Sequence, residues 1–138
     1  MMKRGRLETY PIKILLAFTE AVGGNEDLFE WLLKNGFPEL ALLSKSIRGG
    51  DESNKLLIQQ NFAQFAAFDA AIHGDPNAII WLKRHHFIFL IRLADASRGT
   101  QVALDWFEKR DLKIFVVLAK KIKSFVDSQT FDVHKSPF

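Results

Sequence analysis

The chain has 138 residues, 48% of them hydrophobic, a net charge of +3 and a mean hydropathy of −0.01. That is the length of one domain, with apolar side chains enough for a core. The lack of Cys excludes disulfides, thiolate zinc sites and cysteine nucleophiles, and the apolar run Ile14 to Phe18 is too short for a membrane span or a secretory leader, so the expected place is the cytoplasm.

Residues 1–10 form a basic N-terminal extension. From residue 11 the chain repeats every 25 residues: Gly24, Gly49, Gly74 and Gly99 share one phase. Trp31, Leu56, Trp81 and Trp106 share a second, and Phe37, Phe62, Phe87 and Leu112 a third. Two residue classes in one register specify stacked units, each needing its neighbours to bury its apolar side.

Within a unit, residues such as Phe65, Phe68, Ala71 and Ile72 are spaced for one helical stripe. The glycine ends that helix, because a left-handed turn costs Gly nothing. Asn25, Asp75 and Thr100 are then suited to cap a second helix, with Pro76 tolerated in its first turn. The large aromatics of the second helix, Trp31, Trp81 and Trp106, are expected in the core with Phe87. Two units are irregular: Asn54 and Lys55 in the second stand where the neighbouring third unit has the apolar Ile79 and Ile80, and Ser124 replaces the glycine in the fifth. The expected fold is all-α, a right-handed superhelix of four to five 25-residue hairpins over residues 11–126, about 45 Å long at a spacing of about 9–10 Å per unit. Residues 127–138 read as a C-terminal tail. Ile12, Leu15 and Leu16 at one end, and Phe125 and Phe131 at the other, lack obvious covers. The tails must fold over these faces or the chain must self-associate, a homodimer being the simplest form.

The stretch Ala70-Ala71-Ile72-His73-Gly74, followed by Ala78, Ile79, Ile80, Trp81 and Leu82, resembles the helical pair of an ankyrin repeat. Glu20-Ala21-Val22-Gly23-Gly24 with Leu28, Phe29, Trp31, Leu32 and Leu33 resembles it too. The period is shorter, the Thr-Pro-Leu-His opening is missing and no length remains for a β-hairpin. The resemblance implies protein binding through a curved surface and carries over no particular residue.

The residues before the glycines, Arg48, His73, Arg98 and the matching Lys123, predict a cationic ladder along one edge. Lys45, Asp95 and Lys120, with Glu20, lie three positions earlier, four before each glycine, and are expected to share its groove. Cations at helix C-termini are also what the helix dipole favours. Asp69 and Asp95 are expected to be exposed or capping. Lys83-Arg84-His85-His86 lacks metal-ligand spacing, and no phosphate loop, nucleophile elbow or cofactor motif is present. These features predict a non-enzymatic protein-binding scaffold without cofactor. The alternative is nucleic-acid binding through the C-terminal half, where residues 70–138 carry +4 and residues 1–69 carry −1. An enzyme with a site in the groove, as in helical-repeat DNA glycosylases, is the third reading.

Overall fold

A computed structural model describes the backbone of residues 1–134 and the side chains of residues 1–129. Among the described residues there are nine α-helices and no strand. They are α1 (Ile12–Val22), α2 (Glu26–Lys34), α3 (Pro38–Ile47), α4 (Asp51–Gln59), α5 (Ala63–Ile72), α6 (Pro76–Arg84), α7 (Ile88–Ser97), α8 (Gln101–Lys109) and α9 (Lys113–His134). None is long and apolar enough to cross a membrane.

The turns follow the 25-residue period closely. Gly24, Gly49, Gly74 and Gly99, in the turns that end α1, α3, α5 and α7, have φ between 90° and 101°. A second left-handed row ends the even helices: Gly36, Asn61, His86 and Asp111, with φ of 87°, 69°, 64° and 57°. Asn, Asp and His are the non-glycine residues that tolerate this region best. Both rows close Schellman turns, for instance Phe87 N to Leu82 O at 2.8 Å and Asp75 N to Ala70 O at 3.0 Å. Asn25 and Asp75 cap α2 and α6 through their side chains, whereas Thr100 makes no such bond.

The odd-numbered helices lie inside and the even ones outside. Each odd helix packs on the next, and each even helix lies against the odd helices before and after it. An end-to-end stack would keep the last unit far from the first. Here α9 packs against α1 as well as α7, so the five inner helices surround a common centre. Phe18, Leu43, Phe68, Leu93 and Leu118, one per unit at the same phase, are completely buried. On the outer helices the buried phase is Leu32, Leu57, Leu82 and Phe107. The Trp row, one residue earlier, is only half-buried against that core, and so is Phe87; the expectation of core tryptophans is corrected accordingly. A step of about 100° around each outer helix separates the two rows.

The N-terminal extension folds back across one end of this ring. Leu7 is fully buried and Tyr10 nearly so. Arg4 lies over the Phe37 ring and Arg6 over the Phe87 ring, at 5.6 and 4.5 Å. Between them the Gly5 carbonyl accepts a bond from Gln64 Nε2 at 3.1 Å. Three consecutive residues thus meet three consecutive units. Glu39, 1% exposed, anchors the segment. Its carboxylate accepts from Arg4 Nη1 at 2.7 and 2.9 Å and from the Tyr10 hydroxyl at 2.6 Å. Burial, helped by the bond to Glu39, pushes the Tyr10 pKa upward. The matching residues of other units include Ile14, Phe89 and Ile114; Glu39 and Gln64 are polar where the extension passes.

Of the apolar residues that open α1, Leu15 is buried but Ile12 and Leu16 stay exposed. Phe125 is half-buried beneath the Arg48 guanidinium, 4.6 Å from its ring centre. The side chain of Phe131 and residues 135–138 lie outside the described residues.

Candidate functional site

Arg48, His73, Arg98 and Lys123 gather at the end of the ring where α1, α3, α5 and α7 finish, and there three of the four reach back to the preceding unit. Arg48 Nη1 donates to Val22 O at 2.9 Å, and Arg98 Nη1 to Ala71 O at 3.4 Å. A Cβ on Gly24, Gly74 or Gly99 would stand 3.2, 2.8 or 2.7 Å from Arg48, Arg98 or Lys123 respectively. Arg48, Arg98 and Lys123 thus lie against the electronegative C-terminal ends of the preceding inner helices. Lys123 Nζ also pairs with Asp127 Oδ2 at 2.7 Å. Ile72, Ser97 and the last three ladder residues border an open depression of about 300 Å³.

His73 departs from the pattern. Its Nδ1 stays on its own helix, 2.9 Å from the Asp69 carbonyl and 3.2 Å from Asp69 Oδ1, and nothing lies within 4 Å of a Cβ built on Gly49. The adjacent Asp69 carboxylate raises the His73 pKa, and outweighs the opposing effect of partial burial.

Asp69 is buried, not exposed, which corrects the expectation from sequence. It accepts a hydrogen bond from the Ser46 hydroxyl on Oδ2, and Asn54 Nδ2 donates to the same oxygen at 3.2 Å and to Ser46 Oγ at 3.1 Å. The corresponding trios are Ala21, Phe29 and Ser44, then Ala71, Ile79 and Ala94, then Ala96, Leu104 and Ala119. Asn54, an irregularity in its own unit, is therefore one corner of a polar tie between units two and three. Lining up the units by phase exposes it, since 46, 54 and 69 turn polar together. The tie engages Oδ2 alone; the buried Oδ1 accepts no hydrogen bond among the described residues and has only the His73 ring nitrogen, 3.2 Å away, beside it, so the Ser46–Asn54–Asp69 contact links two units through one oxygen of the acid.

The row four before the glycine does not share one groove with the ladder. Lys45 lies beside Arg48 in a crevice, its Nζ 3.6 Å from Glu26 and 4.6 Å from the Phe29 ring centre. Asp95 and Glu20 face elsewhere, into grooves on the outer side of the ring, and Lys120 is exposed on α9.

Those outer grooves recur at matching positions. One, of about 280 Å³, is bordered by Leu16, Glu20, Leu28 and Trp31. A second, of about 390 Å³, is bordered by Ile58, Ala66, Ala70 and Trp81. A third, of about 330 Å³, is bordered by Ile88, Asp95, Val102 and Trp106. Trp106 is stacked by Arg92 and Arg110, with guanidinium carbons 4.4 and 4.1 Å from its ring centre. Trp81 stacks on His85 at 4.2 Å and Phe87 at 6.1 Å. With His86 needed for the left-handed turn, both members of the His pair have local structural roles. Among the described residues no group of three His, Asp or Glu is placed to hold a metal ion.

Compared with known protein families, curated proteins and solved structures, the chain matches none.

Proposed function

We propose that the chain is a non-enzymatic protein-binding module, a superhelix of ankyrin-like hairpins wound until its ends meet, which engages its partner through the outer side of the ring. The observation that carries this reading is apolar exposure recurring beside the Trp row on a rigid scaffold. Ile58 is 54% exposed in the Trp81 groove, and Ile88 and Val102 are 43% and 79% exposed in the Trp106 groove, with Ile80, 54% exposed, next to Trp81 on α6. Apolar surface held open beside aromatic grooves is what protein interfaces use. The end of the ring that carries the ladder is less suited to phosphate than the row of cations suggested, because Arg48, Arg98 and Lys123 already meet helix C-termini or Asp127.

The test is to isolate the partner from cell extract with the tagged chain and then measure the purified pair. Charge substitutions on the outer side, Leu16→Glu, Ile80→Glu and Val102→Glu taken singly, are expected to include at least one that weakens binding by about tenfold or more. Replacing Arg98 and Lys123 by Ala is expected to leave affinity unchanged and to cost stability about 0.3–1 kcal/mol each. A nucleic acid as the captured partner, released steeply by salt and lost on the double substitution, establishes the alternative.

A further inference from the structure

Four inner helices each carry an outer helix of nine residues: α2 on α1, α4 on α3, α6 on α5 and α8 on α7. Among the described residues none follows α9. Ser124 stands where the other units have their glycine, and α9 runs straight on through His134. Because α9 packs on α1, the position of a fifth outer helix lies against those two helices, and no helix among the described residues fills it.

The exposure of matched residues marks this position. From α3 onward every inner helix also touches the outer helix of the preceding unit. The residues at the phase of Leu16 are there covered: Ala41, Ala66 and Val116 are buried and Ile91 is half-buried. Leu16 itself is 49% exposed. Ile12 is 64% exposed, while its counterparts Phe37, Phe62, Phe87 and Leu112 are all half-buried. On α9, Val117 is 50% exposed, whereas Ala17 at the same phase is buried. The apolar residues of a helix seat are present without the helix.

The rim is cationic. Lys113 and Lys120 are exposed on α9. Lys121 replaces the small residues Ala21, Ser46, Ala71 and Ala96 found at its phase; its stem lies against Gly23 and its Nζ is 3.4 Å from Glu20. That ion pair is half-exposed, so displacing it costs little. Resting on the protein-binding reading above, we infer that this open seat receives an amphipathic helix of a partner protein, about two and a half turns long, with an apolar face over Ile12, Leu16 and Val117 and acidic flanks toward Lys113, Lys120 and Lys121. Helix-in-groove recognition of this kind combines apolar anchors with flanking charge.

A suitable probe is a peptide of residues 25–36 of this chain, held helical by a staple on its solvent side. It has the outer-helix apolar face, Leu28, Phe29 and Leu32, and the acids Glu26, Asp27 and Glu30. The basic α6 sequence, residues 75–86, is the matched control. In the isotope-labelled full chain the acidic peptide should shift the amides of Leu16, Val117 and Lys120 saturably. Leu16→Glu, at a half-exposed site, and the α6 control should each weaken binding at least tenfold, while Gln59→Glu, exposed on α4 across the ring, leaves it unchanged. Shifts gathered instead at the Trp81 and Trp106 grooves, or no saturable shift, overturn the proposal. So does sedimentation showing a wild-type dimer that Leu16→Glu dissociates, because a second copy then fills the seat. If the isolated partner is lost on Ile80→Glu or Val102→Glu but not Leu16→Glu, the seat is wrong and the protein-binding reading stands.

Discussion

Replacing Phe68 by Ala is expected to lower stability by about 3–5 kcal/mol. Phe68 is fully buried and belongs to the same core cluster as the equally buried Phe18, Leu43, Leu93 and Leu118, one from each inner helix. Five units contribute to this one contact region, so a cavity there cannot be relieved by shifting a single hairpin. Trp81→Ala is the informative comparison. The larger side chain is only half-buried on an outer helix, and its loss should cost about 1–2 kcal/mol, in proportion to the smaller area it removes from water. Urea midpoints of the two variants measure the difference. Equal losses, or a larger one at Trp81, contradict the assignment of inner and outer rows.

The second large effect is expected from deleting residues 1–10. The deletion removes the buried Leu7 and Tyr10 and leaves the carboxylate of Glu39 without Arg4 or the Tyr10 hydroxyl. Loss of a buried leucine costs about 2–5 kcal/mol, and stripping partners from a buried charge about 3–5 kcal/mol. Together these approach the whole stability of a domain this size, so the shortened chain should be largely unfolded or oligomeric. Restoring an apolar side chain with Glu39→Leu in the shortened chain should recover part of the loss, because the stranded charge is then gone. A shortened chain as stable as the full one, measured by thermal and urea melting, contradicts this account of the extension.

The 25-residue period was plain in the sequence because Gly at 24, 49, 74 and 99 meets a backbone demand that few residues satisfy. The matching row at 36, 61, 86 and 111 was hidden: Gly, Asn, His and Asp meet the same demand with different side chains. The Trp row misled for a related reason. Trp81 and Leu82 are both apolar, and only the phase against the neighbouring helices decides which is fully buried. The ladder of Arg48, Arg98 and Lys123 was legible as a row but not as a set of cross-unit caps, since that depends on the glycine of the unit before. Ring closure depends on a small rotation accumulated over all the units, which no local residue pattern reports. Its nearest trace is Lys121, the one long side chain where four other units place Ala or Ser.

Closure is the claim on which both the core and the open helix seat rest. The chain has no native Cys, so spin labels at Glu20→Cys and Lys121→Cys measure the gap between first and last units without interference. Those side chains meet at 3.4 Å in the closed arrangement, so the labelled monomer should give one narrow distance of roughly 10–20 Å, about one to two helix spacings. A distance near about 40 Å, four unit spacings of about 10 Å, would mean an open row of hairpins and would contradict the ring.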